Sequence, residues 1–116
     1  MRATRLPPVL VVTRFRVPAT EQGAFQADVS EALAAFAARA GFRDASLGRA
    51  ADDPTLWVLV TTWQDVGAYR RALSSYDVKI CVVPLQRVAI DEPSAYEIIL
   101  GPGAYTPNRA KPRGER

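Results

Sequence analysis

The segment from Leu56 to Trp63 reads LWVLVTTW and constrains the fold more than any other part of the chain. Its aromatic and β-branched residues predict a strand, whose successive side chains point to opposite faces of a sheet. One face carries Leu56, Val58 and Val60, and the other carries Trp57, Leu59, Thr61 and Trp63. Because both faces are largely apolar, we expect helices to cover one of them and a second layer to cover the other.

Composition predicts one compact domain. With 116 residues and 48% hydrophobic content, the chain can bury a core without disulfides or a structural metal. The single cysteine, Cys81, excludes an internal disulfide and favours a reduced, cytoplasmic setting. No apolar run is long enough to predict a membrane span. We expect an N-terminal extension over residues 1–8, a domain over residues 9–100 and a flexible basic tail over residues 101–116.

The positive charge of the chain is concentrated in that tail. The formal net charge is +3, and residues 101–116 alone carry four basic side chains and one acidic side chain. Residues 1–100 taken together are therefore electrically neutral, which argues against a nucleic-acid-binding surface.

The order of the predicted elements indicates the fold class. Strands are predicted at 9–17, 42–50, 56–63 and 94–100, and helices at 21–40 and 66–75. The segment 77–89 is ambiguous: its apolar residues could form a strand, but Pro84 favours a short helix that kinks or restarts near it. Thr20 is the expected cap of the first helix, and Gly41 is its expected left-handed stop. This βαββαβ order predicts an α+β, ferredoxin-like fold: a four-stranded antiparallel sheet with helices on one face. The open face predicts a homodimer in which two sheets pack together.

The corner after the third strand is the best site candidate. Asp65 can cap the second helix, and Trp63 and Tyr69 then lie on either side of the turn. Two large aromatic rings at one corner could hold a flat organic molecule.

Several short motifs resemble the antibiotic biosynthesis monooxygenase family. They are Thr13-Arg14-Phe15, Gly41-Phe42, Leu56-Trp57 with its run to Trp63, and Ala68-Tyr69. The resemblance implies a homodimeric α+β barrel. It also implies one of two activities: oxidation of polycyclic phenols to quinones without a cofactor, or oxidative degradation of haem. Trp63 and Tyr69 match the tryptophan and tyrosine of the quinone-forming members.

The chain departs from both patterns in its polar residues. It contains no histidine, so axial ligation of haem by imidazole is excluded. The asparagine that quinone-forming members carry shortly before the tryptophan is absent from Leu59-Val60-Thr61-Thr62, and Thr13 replaces the asparagine that haem-degrading members carry on the first strand. One polar partner of the reaction is thus missing or moved, and no cofactor or metal is expected.

These considerations assign candidate roles to five residues. Trp63 and Tyr69 are the predicted catalytic residues, and the predicted substrate-binding residues are Arg14, Thr13 and Tyr76. Three of them have plainer alternatives: the two aromatics could be core anchors, and Arg14 could form a salt bridge, with Glu97 as the expected partner. Asp77 could act as a base for a phenol proton, but a helix-capping role is the more common one.

Two hypotheses of different classes follow. The chain is either a cofactor-independent monooxygenase that acts on a small aromatic molecule, or a non-catalytic dimeric binding module that retains the fold.

Overall fold

The computed structural model describes residues 6–101, which form one four-stranded sheet with three helices packed on one face. In chain order the elements are β1 (Val9–Arg16), a 3₁₀ turn (Ala19–Glu21), α1 (Gln22–Ala37), β2 (Phe42–Arg49), β3 (Leu56–Trp63), α2 (Val66–Ser74), α3 (Tyr76–Gln86) and β4 (Ala95–Glu97). The predicted α+β, ferredoxin-like fold is confirmed. Within these residues no helix is long and apolar enough to cross a membrane.

The sheet is antiparallel, with strand order β2-β3-β1-β4. β3 lies inside it and pairs with β1 along its whole length, from Val9 opposite Trp63 to Arg16 opposite Leu56. On its other side β3 pairs with β2, whose register shifts between Phe42 and Asp44. This pairing places β3, the strand with apolar side chains on both faces, inside the sheet.

The helix-covered face of the sheet holds the core. The four β3 side chains on this face are all buried, and they meet Phe25, Val29 and Phe36 of α1. On the opposite face Leu56, Val58 and Val60 are only half-buried. The described helices all lie on the first face, so the second presents apolar side chains to its surroundings.

Several element ends differ from the sequence predictions. The 3₁₀ turn includes Thr20, and α1 starts after it with no side-chain cap, so the predicted Thr20 cap is wrong. α1 also ends at Ala37, and β4 is limited to Ala95–Glu97, where it pairs with β1. The predicted extension over residues 1–8 and the predicted tail over residues 101–116 fall mostly outside the described residues.

The ambiguous segment after α2 is helical. α3 runs from Tyr76 to Gln86 and contains Pro84 in its last turn. A proline there removes one backbone donor but leaves the preceding turns intact, so the helix forms and ends soon afterwards. The following residues return to the sheet edge, where Ala89 forms an isolated bridge to Phe15.

Gly41 makes the tight corner between α1 and β2. Its φ of 92° lies in the left-handed region, as predicted, but its predicted role as the stop of α1 is wrong, because α1 ends at Ala37 with Ala38 as its C-cap. The Gly41 carbonyl accepts a hydrogen bond from Gln64 N at 2.8 Å. A Cβ atom at this position would overlap the Cβ of Ala68 in the first turn of α2. The glycine therefore allows α2 to pack directly on the β2 corner.

We expect Gly41→Ala to destabilise the protein by about 2–4 kcal/mol, because it adds left-handed strain to a steric overlap. Chemical denaturation measures the change. The double variant Gly41→Ala/Ala68→Gly should recover only the steric part. Gly23→Ala is a matched control in α1, where a Cβ meets nothing within 4 Å and should be neutral or slightly stabilising. Equal losses in both single variants would contradict this explanation.

Candidate functional site

A cavity of about 230 Å³ lies between the sheet and all three helices. Its floor is formed by β1 and β3, and its walls are formed by α1, α2 and α3. The lining residues are mostly apolar: Val11, Phe15, Phe36, Leu59, Leu73, Val82, Leu85 and Ala89, with four polar residues, Thr13, Thr61, Tyr69 and Gln86. A largely apolar cavity with a few polar groups is typical of a small-molecule site.

The four polar residues approach the cavity from two sides, two from the sheet and two from the helices. Thr13 and Thr61 lie on the same face of neighbouring strands, because Thr13 pairs with Leu59 and Val11 pairs with Thr61. Diagonal neighbours of this kind are about 7 Å apart, so both hydroxyls can face one ligand. Tyr69 approaches from α2, and Gln86 is solvent-exposed on α3. The arrangement offers neutral hydrogen-bonding groups on opposite sides of the cavity.

Thr61 is the most buried of these polar residues, at 3% exposure. Its Oγ1 accepts a hydrogen bond from the indole Nε1 of Trp63 at 2.9 Å. The sequence analysis did not select Thr61 as a site residue. The signal that could have identified it is its position as the only polar side chain on the core face of β3.

Trp63 is fully buried and packs behind the cavity rather than lining it. Its ring lies edge-on to Phe36 and Phe42, with centroids 5.6 and 5.3 Å away, and 5.7 Å from the ring of Tyr69. The structure thus brings the two predicted catalytic residues into contact. Only Tyr69 of the pair reaches the cavity surface.

The phenol of Tyr69 is a hydrogen-bonding group that stays protonated at neutral pH. Burial raises its pKa above the ordinary value of 10.0, and a hydrogen bond with the Ser94 side chain opposes this effect in part. The start of α2 positions the ring, because the Asp65 side chain accepts a hydrogen bond from Ala68 N at 2.9 Å, as the sequence predicted. Tyr69 can therefore donate to a ligand oxygen but cannot serve as a base near neutrality.

The structure places Arg14 away from the cavity. Strand alternation puts it on the open face of the sheet, where its Nε and Nη2 each donate to Glu92 at 2.8 Å. The expected partner, Glu97, is incorrect: Glu97 lies on β4 opposite Val9, on the other face. A bidentate pair satisfies the guanidinium without an anionic ligand.

Tyr76 also lies outside the cavity. It is the first residue of α3 and is 75% exposed. Asp77 occupies the first turn of that helix, whose cap residue is Ser75. Thr13 and Tyr69 are thus the predicted site residues that the structure places at the cavity.

None of the cavity-lining residues is a carboxylate, a lysine or an arginine. Histidine is absent from the whole chain. Within residues 6–101, no three His, Cys, Asp or Glu side chains are grouped as metal ligands would be. The lining residues themselves can bind and orient a molecule and donate hydrogen bonds to it, but they supply no base with a pKa near neutrality.

Comparison with known families identifies this architecture. The model of the antibiotic biosynthesis monooxygenase family matches residues 8–82, which include β1 to α2 and most of α3. The chain belongs to this family. The match includes the residues on which the sequence resemblance was based, and that resemblance is confirmed.

Solved structures of antibiotic biosynthesis monooxygenases and their relatives share the fold. SnoaB, a cofactor-independent oxygenase from Streptomyces nogalater, is 25% identical and superposes with a TM-score of 0.73, covering 82% of this chain and 96% of that chain. One of its variants gives a TM-score of 0.74 with the same identity and coverage. A proposed antibiotic biosynthesis monooxygenase from Bordetella bronchiseptica is 19% identical, with a TM-score of 0.66 over 81% of this chain and 99% of that chain. A comparison with curated protein sequences gave no match.

The Arg14–Glu92 pair predicts a pH-dependent contribution to stability. Hydrogen bonding to Arg14 lowers the pKa of Glu92 below its ordinary value of 4.5. A carboxyl group whose pKa is lower in the folded state than in the unfolded state stabilises the fold at pH values above its unfolded-state pKa. This stabilisation is lost as the pH falls through the folded-state pKa. Glu92→Gln should therefore lower the melting temperature at pH 7, and the difference from the native protein should shrink towards pH 3.

Glu97→Gln is the control for this prediction, because Glu97 is exposed and lies on the other face of the sheet. It should leave the melting temperature at pH 7 unchanged. A larger effect from Glu97→Gln than from Glu92→Gln would contradict the assignment of Glu92 as the partner of Arg14.

Proposed function

We propose that this member of the antibiotic biosynthesis monooxygenase family oxidises a phenolic or quinol-like aromatic substrate with molecular oxygen, without a cofactor. The observation that carries the proposal is the apolar cavity, whose polar lining consists of neutral hydroxyl and amide groups. The SnoaB likeness supports it, since that protein is a cofactor-independent oxygenase. In such a reaction the substrate supplies the electrons, and the protein supplies position and polarity.

The chemistry balances without a protein-bound redox group. A phenol with a free para C–H bond loses its hydroxyl proton, and the resulting anion transfers electrons to oxygen. One oxygen atom becomes bonded to the para carbon, the O–O bond breaks, and the second oxygen atom leaves as water. The product is a para-quinone, so one substrate and one O₂ give one quinone and one water.

The cavity residues have distinct parts in this proposal. Tyr69 donates a hydrogen bond to a substrate oxygen, and Thr13 contacts the substrate from the sheet. Trp63 holds the Tyr69 ring from behind. The lining residues lack a base that titrates near neutrality, so the preferred substrates are phenols that ionise readily when their oxygen receives hydrogen bonds.

A second copy of the chain completes the proposed assembly. The open face of the sheet carries Leu10, Val12, Val58 and Val60, all half-buried within a single chain. We propose that this face packs on the same face of another copy, which removes its apolar side chains from water.

The alternative is a non-catalytic module that binds a small aromatic molecule. The observation that favours it is the same lack of an ionisable base among the lining residues. Binding requires only shape and hydrogen bonds, whereas oxidation also requires that the substrate anion be formed.

Oxygen consumption with 1-naphthol and a panel of naphthols that have a free para C–H bond distinguishes the two functions. We expect the native protein to consume one O₂ for each quinone formed, measured with an oxygen electrode and by quinone absorbance. Tyr69→Phe should lower kcat about tenfold or more, because it removes a donor that faces the developing anion. Trp63→Phe should also lower kcat, because the Tyr69 ring loses its support.

Trp57→Phe is the matched control for Trp63→Phe. Trp57 lies on the same face of β3 and is also buried, but it packs on Phe25 outside the cavity. It should leave kcat close to the native value. If Tyr69→Phe and Trp63→Phe both retain native activity, the proposed site is wrong. If the native protein binds these phenols and consumes no oxygen, the binding module is the better description.

Disrupting the open face should separate the proposed dimer. Val60 lies opposite Val12 on one neighbouring strand and Ser46 on the other. Val60→Lys would bury an unpaired charge in the paired sheets, so we expect light scattering to give the monomer mass while circular dichroism stays native. Ile80→Lys, on the exposed side of α3, should keep the native mass. A native protein that is monomeric at all concentrations would refute the dimer.

A further inference from the structure

We infer that the Thr61 hydroxyl is the group that donates a hydrogen bond to the substrate oxygen on the sheet side of the cavity, and that Trp63 is a positioning residue that acts through it. This inference rests on the proposed function. It adds a residue that the sequence comparison with quinone-forming members does not indicate, since the corresponding stretch lacks their asparagine.

The Thr61 hydroxyl can donate a hydrogen bond while it accepts one from Trp63. An indole N–H can only donate, and that of Trp63 donates to Thr61 Oγ1 at 2.9 Å. The Thr61 hydroxyl therefore uses one lone pair as an acceptor and keeps its own proton for another partner. The hydrogen bonds of residues 6–101 include none in which this hydroxyl is the donor to a protein acceptor.

The Thr61 side chain is buried inside the fold. Thr61 is 3% exposed, so its hydroxyl proton has little access to bulk water. The residue nevertheless lines the cavity, where a bound molecule can approach it. A buried hydroxyl without an acceptor is unfavourable, and an oxygen atom of a molecule in the cavity would satisfy it.

The hydrogen bond from Trp63 strengthens the Thr61 hydroxyl as a donor. A hydroxyl that accepts a hydrogen bond becomes a better donor, and this effect is larger in a buried, apolar setting. Trp63 itself is fully buried and does not line the cavity, so it reaches a ligand through Thr61. The ligand best suited to such a donor is a phenolate oxygen, which accepts stronger hydrogen bonds than a neutral phenol does.

The test uses 4-nitrophenol as a probe, because its ionised form is coloured and it is a poor electron donor to oxygen. We expect the native protein to bind the phenolate form and to lower the apparent pKa of the bound probe. Thr61→Val keeps the shape of the side chain but removes the hydroxyl, and should weaken phenolate binding about ten- to a hundredfold. Thr61→Ser should retain most of the binding, because it keeps the hydroxyl.

Two further variants separate the proposed relay from a general structural effect. Thr62→Val changes the same residue type one position along β3, on the opposite face, and should bind the probe as the native protein does. Trp63→Phe should weaken phenolate binding more in the native background than in the Thr61→Val background, where only its support of the Tyr69 ring is lost. Such a non-additive result is expected if Trp63 acts through the Thr61 hydroxyl.

The outcomes distinguish this inference from the proposed function. Phenolate binding that depends on Thr61, without oxygen consumption by any phenol, would support the donor and refute the oxidation. Oxygen consumption that is unchanged in Thr61→Val would overturn the donor and leave the oxidation standing. Failure of the native protein to bind the probe, additive effects of the two substitutions, or equal losses in Thr61→Val and Thr62→Val would each overturn the inference.

Discussion

The structure depends on the position of β3 inside the sheet and on the different burial of its two apolar faces, one of which is covered by helices. Both neighbouring strands pair with it, so its backbone is fixed on both edges. The side chains on one face are then forced under the helices, and those on the other face are forced outward. The aromatic contacts of Trp57 and Trp63 link this strand to α1 and α2. The core, the cavity floor and the open face all follow from this one strand.

The same constraint explains the chemistry of the cavity. A polar side chain on the core face of β3 is unfavourable unless it is hydrogen-bonded, and Trp63 provides the partner for Thr61. Tyr69 lines the cavity from the helix side, and burial raises the pKa of its phenol, which therefore stays protonated at neutral pH. The cavity is therefore lined by neutral polar groups in an apolar setting, where a hydrogen bond to an anion is stronger than the same bond in water.

The sequence predicted the elements with strong local signals. The bounds of β3 agree with the prediction because its alternating pattern begins and ends sharply, and the Asp65 cap and the left-handed Gly41 depend only on local backbone geometry. Weaker signals failed: α1 begins after a 3₁₀ turn that takes up Thr20, and β4 pairs with β1 over only three residues. Pro84 made the α3 segment ambiguous, and packing against α1 and α2 supports a helix there.

By itself, the sequence determined which residues share a face of each strand, the order of the elements, and the absence of any histidine to bind haem. These properties depend on neighbours a few positions apart, so periodicity and composition are sufficient to predict them. Only the tertiary structure decided that Arg14 pairs with Glu92, 78 positions away, and that Thr61 faces the cavity with Trp63 as its partner. Strand pairing and helix packing bring distant segments together, and the spacing of residues along one segment does not contain that information.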